Sequence, residues 1–322
     1  MKLTVKARVS VLAGALAAAS LIAAPAAVSQ AALTTTCVGE AGAVTVPGDL
    51  VVPKDKSCVL DGTTVEGKVT VRSGADLVVT GGSFADVVVI QENGYLDMTD
   101  TTVEGRVTSR GGFGVYTSGS SVGSFVETGA GDGTPFLYAE GLTANGAVKV
   151  TNGEAYLKDS TLKGVTAENP LYADVVNSTL AGALTVTGAR SGSQVCASEV
   201  DGVATFSGNA GVQLGSGTLF GTCDGGSNYF GKDVAIDDNT EGVQLNGNII
   251  RGSLTGEGND PAPVGDDNRV RGAQEGQFAD LQPGASTMSR KAAPAPKADL
   301  DKAADRKADA LTAAAKSGKA QL

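Results

Sequence analysis

The 322-residue chain carries 25 Lys/Arg against 35 Asp/Glu, with no His, no Trp, 8 Phe and 6 Tyr. The absence of His excludes Ser-His-Asp and Cys-His hydrolases and His-ligated zinc or iron sites, and neither a cofactor nor a metal is expected. A net charge of -10 argues against nucleic acid, whose affinity rests on Lys and Arg meeting phosphate.

Residues 1–31 read as a secretory signal peptide. Lys2, Lys6 and Arg8 precede an apolar run from Val9 to Ala24, and Ser29-Gln30-Ala31 fits a small-x-small cleavage site, with Ala24-Pro25-Ala26 as an alternative. The run is short and Ala-rich for a bilayer core of ~20 residues, so cleavage is expected rather than anchoring. Thr34-Thr35-Thr36 before Cys37 is not a lipoprotein context, and the chain has no LPxTG motif. The expected product is secreted, without a transmembrane segment, and held at the cell wall only loosely.

Export makes the 4 Cys readable as disulfides, for which three connectivities exist. Cys37 with Cys58 and Cys196 with Cys223 close the shortest loops, and each bridge contributes roughly 3 kcal/mol by restricting the unfolded chain. Their spacing fits neither a zinc ribbon nor a redox Cys-x-x-Cys.

From Val59 to Thr255 one unit recurs, shown most fully by Thr64-Val65-Glu66-Gly67-Lys68-Val69-Thr70-Val71. After Val65 its apolar anchor returns at Phe84, Val103, Val122, Leu142, Leu162, Leu180, Val200, Phe230 and Ile250, mostly 18 to 20 residues apart. Apolar residues four and six positions on, as in Leu184 and Val186, give a period-two strand signal. A second strand precedes each anchor, as in Leu77-Val78-Val79. Short strands, turns rich in the chain's 45 Gly, and a fixed period define a solenoid without the leucine-rich-repeat frame. The expected fold is therefore all-β, a right-handed parallel β-helix of about 19–20 residues per coil spanning 32–281. Ala32 to Lys56 and Glu257 to Leu281 are expected to cap its ends. The single 30-residue interval, between Val200 and Phe230, reads as a loop tied to Cys196.

Residues 282–322 change composition, with 13 Ala, 8 Lys/Arg and 4 Asp. Ala298 to Lys316 can be transiently helical, but Leu300 and Leu311 make no apolar stripe, so a solvated, mostly disordered tail is expected. Its net +4 suggests weak attachment to anionic cell-wall polymer. Residues 32–281 hold 14 Lys/Arg against 31 Asp/Glu, a net -17.

Asn228 to Ile236, Asn239 to Leu245 and Asn248 to Leu254 resemble a repeat of secreted actinobacterial right-handed β-helix proteins. The resemblance is specific from Asn228 to Phe278 and implies fold and export, but no activity. It also implies a C-terminal cysteine pair, whose positions here are Gly256 and Phe278.

β-Helices also house polysaccharide lyases and hydrolases, which need clustered carboxylates on an outward face. The densest acid clusters, Asp237-Asp238-Asn239 and Asp266-Asp267-Asn268, sit in turn contexts where Asp and Asn bond locally. Calcium suits oxygen ligands, but Gly131-Asp132-Gly133 is too short for a Ca²⁺-binding nonapeptide. Tyr95, Tyr116, Tyr138, Tyr156 and Tyr172 each adjoin an aliphatic of the pre-anchor strand, so alternation turns them outward on one face. Such a strip could stack sugar rings, or serve only as a ladder of cross-strand contacts. No catalytic residue is identified. The expected role is a non-enzymatic, structural or binding one at or outside the cell envelope, the alternative being a carbohydrate-active or glycan-binding protein.

Overall fold

The structure, a computed structural model, describes residues 33–129, 135–220, 223, 226–284 and 296–322. The expected signal peptide and Gly131-Asp132-Gly133 lie outside the described residues.

One coil shows how the sequence builds the whole. Thr64–Val65 is a two-residue strand, and Glu66-Gly67 turns a corner into Val69–Val71. A second turn leads to the strand Asp76–Thr80, and Gly81-Gly82 returns the chain to Ser83–Phe84, directly above Thr64–Val65. Stacked copies make a right-handed parallel β-helix of about 12 coils. At ~4.8 Å per coil, that is a rod on the order of 55 Å long. The first two strand types share a 22-stranded sheet, and the third forms a 12-stranded sheet.

The anchors stand in parallel register and, with their neighbours, form one continuous core along the rod. The column starts a coil earlier than expected, at Val46, and ends a coil later, at Val270. One expected anchor is displaced. Ala144, not Leu142, pairs with Val122 below and Leu162 above. Leu142 falls two residues upstream, in a column that other coils fill with Thr101, Ser120, Ser160, Ser178, Ser198, Asn228 and Asn248. From Thr101 to Asn228 each side-chain oxygen accepts a backbone N–H from the coil below, as Ser178 Oγ does from Ser160 N at 3.0 Å, while Asn248 Oδ1 accepts the Asn228 side-chain amide. This coil is longer than its predecessors, so the large aliphatic nearest the expected period sits two residues short of the anchor.

A second polar column, Asn209, Asn239, Asn259 and Gln277, runs inside another corner. Its amides donate and accept in series at 2.8 to 3.0 Å. Asp238 and Asp267, from the two acid clusters, sit at φ 56, in left-handed turn positions that other coils give mostly to Gly, Asn or Asp.

The end covers differ from expectation. Thr34–Thr36, Gly39–Ala41 and Thr45–Val46 form a complete first coil rather than a cap, and Cys37 and Cys58 are bonded across the first two coils. Cys196 and Cys223 are bonded as well, tying the long excursion to the rod. At the far end Phe278, fully buried in a 3-10 turn, closes the core with Leu281 against it. Gly256 lies against this ring, and a Cβ added there would stand 2.8 Å from Phe278 Cε2. The two positions singled out by the resemblance are thus spatial neighbours.

The described end of the tail, 296–322, is folded against the rod. Pro296–Ser317 forms a 22-residue helix, α1, lying along the outer face of the 12-stranded sheet and running back toward the first coil. No helix among the described residues is long and apolar enough to cross a membrane.

Candidate functional site: the face beneath α1

Strand alternation puts two columns of side chains on the outer face of the 12-stranded sheet. Asp97, Tyr116, Tyr138, Tyr156 and Asp174 are in register in one. Asp76, Tyr95, Gly114, Phe136 and Glu154 make the other, with Tyr172 following Glu154. The five candidate tyrosines therefore share a face but divide between columns. Tyr116, Tyr138 and Tyr156 pack in series, with centroids 5.8 and 4.9 Å apart. Tyr95, Phe113 and Phe136 meet edge to face. Gly114 makes this possible, because a Cβ there would lie 2.3 Å from Phe136 Cε1. Five of the 6 Tyr and two of the 8 Phe gather on this one face.

α1 covers it. Tyr95 is 0% exposed and Tyr172 3%, so neither presents a ring to a sugar, while Tyr116 and Tyr156 are half-buried. Tyr95 Oη donates to Asp97 Oδ2 at 2.9 Å and to the Ala303 carbonyl at 3.1 Å, and Tyr172 Oη donates to Asp299. Burial, followed by these neighbouring carboxylates, pushes both phenols above their usual range. The helix approaches closely because Ala303, Ala310 and Ala314 face the sheet.

The charges are complementary. Arg306 Nε lies 2.7 Å from Asp76 and Lys307 Nζ 2.8 Å from Asp97. Lys302 bridges Asp299 at 2.7 Å and Glu154 at 3.7 Å. Arg306 and Lys307 also lie over the Phe113 and Tyr116 rings. Burial, reinforced by the neighbouring Asp299, pushes Glu154 up to about 8. Lys302, Arg306 and Lys307 of the tail thus face carboxylates of the rod. Burial outweighs Arg306 in raising Asp76 as well.

Away from this face, Glu127 points into the rod beside Ser109 and is fully buried, and burial pushes it up to about 8. No group of three or more His, Cys, Asp or Glu among the described residues could hold a metal ion. Asp266 accepts the neighbouring Asp267 N–H at 2.9 Å, while Asp237 accepts Glu257 N–H from the next coil at 3.0 Å. Sequence reasoning found the tyrosines through strand alternation. It missed Asp76, Asp97 and Glu154, although alternation places them on the same face, because their partners lie more than 140 residues away.

The fold and site define a parallel β-solenoid with a helix strapped along one face. No family model matches the chain, and neither a curated protein nor a solved structure matches it.

Proposed function

We propose that the chain is an exported, non-enzymatic β-helix with a structural or binding role at or outside the cell envelope. The observation that carries this reading is the engagement of the one aromatic, carboxylate-rich outward face by the chain's own α1. Asp76, Asp97 and Glu154 are held by Arg306, Lys307 and Lys302, an arrangement suited to fastening a strap rather than to acid–base work on a substrate. Two disulfides suit an oxidising compartment, and the charge order and small-residue ending of 1–31 suit export. The resemblance of Asn228–Phe278 to secreted actinobacterial β-helices points the same way. Fractionating cells that express the chain with and without residues 1–31 tests it. Export predicts thiol-free protein in the medium or salt-washed from the wall, and loss of that pool without 1–31. Retention of both forms inside the cell contradicts the reading.

Glycan binding is the second reading, favoured by the stacked Tyr116, Tyr138 and Tyr156. It requires α1 to leave. A glycan array probed with the intact chain and with a folded variant lacking 285–322 distinguishes the cases. Signal confined to the shortened variant supports a covered sugar face, and no signal from either removes this reading.

A further inference from the structure

The first coil of a parallel solenoid has a lower edge with nothing beneath it, and unpaired N–H and C=O groups on such an edge accept another chain. In this protein the edge of Gly39–Ala41 is occupied from the far end of the sequence. Glu40 N–H donates to Gly318 O at 2.9 Å, and Ala320 N–H donates to Glu40 O at 2.8 Å, in parallel register. Ala320 and Leu322 pack against the first-coil core. Residues 318–322 thus lie where a coil preceding the first would run. The cover is incomplete. An open groove of about 580 Å³ remains between Ala41, Val59, Ala320 and Leu322, and Val44 beside it is 44% exposed.

We infer that the lower edge of the first coil is a self-association surface, and that Gly318–Leu322 is a removable stop that keeps it occupied. Its partner is the same edge of a second copy. The opposite end of every copy carries its own plug, where Phe278 fills the core mouth and Gln282 pairs with Val264. Among the described residues, loss of the stop therefore bares the Gly39–Ala41 edge while the opposite end stays plugged. Two such edges meet about a two-fold axis and close as a dimer rather than a filament. The stop is short, uses a single residue of the strand for pairing, and is delivered by α1. Residues holding α1 therefore influence edge occupancy without touching the edge.

The test is sedimentation velocity on residues 32–322, the compact unit containing every described residue. Three forms are compared across a concentration series: the intact chain, a chain ending at Ser317, and Ala320→Pro, which removes one of the two edge hydrogen bonds. The intact chain is expected to sediment as a monomer throughout. The shortened chain should shift to a dimer as concentration rises, and Ala320→Pro should do so at higher concentration. A shortened chain that melts cooperatively yet stays monomeric overturns the inference. So does assembly beyond the dimer, which would put the partner at the plugged end, or an intact chain that already dimerises. Failure of both variants to fold also overturns it, because the segment would then be part of the first coil and not a stop.

Discussion

Asn239 accepts the backbone N–H of Asn209 at 2.9 Å and its side-chain amide at 3.0 Å, while its own amide donates to Asn259 Oδ1 at 2.8 Å. Asn239→Ala strands the buried Asn209 N–H, at about 1–3 kcal/mol, and takes from Asn259 Oδ1 one of its two donors while the backbone N–H of residue 239 remains. A loss of about 3 kcal/mol in unfolding free energy is expected, whereas Thr161→Ala, exposed on the outer face, should stay within about 0.5 kcal/mol. Denaturant titration of the two variants compares them, and equal midpoints would deny the amide column its role. Titration adds a second residue-level effect. Burial raises Glu127 and Glu154 to about 8 and Asp174 to about 7, above their unfolded values near 4. A raised folded pKa means that the folded state holds the proton more tightly, so this stabilisation is complete below pH ~4 and is lost as pH rises through 7 to 8. The melting temperature should therefore fall between about pH 4 and pH 8. Glu127→Gln should flatten that slope, and adding Glu154→Gln should flatten it further. An unchanged slope in the double variant would mean that other groups govern it.

At the scale of the element, α1 is fastened by buried charge. Asp97 is 1% exposed and loses its ion-pair partner among the described residues in Lys307→Ala, while Tyr95 still donates to it. Removing one partner of a buried pair costs ~3–5 kcal/mol. Lys307 is about one-third exposed, so on the order of 1–3 kcal/mol is expected here. Amide exchange across 296–317 should accelerate accordingly, and Asp97→Leu with Lys307→Leu should recover most of the protection. Failure of the double variant to recover it would show that shape, not charge, holds the helix. How legible this helix was depends on which stripe is sought. The residues that turn most directly to the rod, Asp299, Ala303, Arg306, Ala310 and Ala314, repeat every three to four positions but include no large aliphatic, and half-buried Leu300 alone packs beside them on the aromatic cluster. A search for Leu finds half-buried Leu300 and exposed Leu311 and concludes that no stripe exists. The apolar bulk of this interface is supplied instead by Tyr95, Phe113, Phe136 and Tyr138 on the rod. The coils were legible because a period near 19 residues, alternation and corner Gly, Asp and Asn all repeat, and a repeated signal survives single exceptions such as Ala144. Docking between distant segments occurs once, has no period, and shows in sequence only as the opposition of -17 in the rod to +4 in the tail.

A solenoid transmits stability only between neighbouring coils, so its ends and middle can open independently. This one carries two devices that break the one-dimensional rule. α1 spans from Tyr172 to Glu40, tying the first eight coils to one rigid element, and Cys196–Cys223 ties the excursion to coils beyond its reach. Under native-state hydrogen exchange the strands from Gly39 to Val176 are expected to open as one unit with a shared free energy. The strands from Val212 to Asp266 should open separately and more easily, since they are held by nearest-neighbour stacking, the Asn column and the Cys196–Cys223 bridge, with no strap along their face. Replacing both Arg306 and Lys307 by Ala should lower protection throughout the first unit, including inward residues such as Val69 and Val88 that the helix does not touch, and leave the second unchanged. A loss restricted to Asp76–Thr80, Tyr95–Thr99 and the other strands directly beneath α1 would mean that the strap guards its own face without coupling the coils. A uniform loss over all strands would mean that the rod unfolds as a single cooperative body. The strap makes the intermediate outcome the physical expectation, because it adds long-range contacts to one part of a structure whose other contacts are all local along the rod.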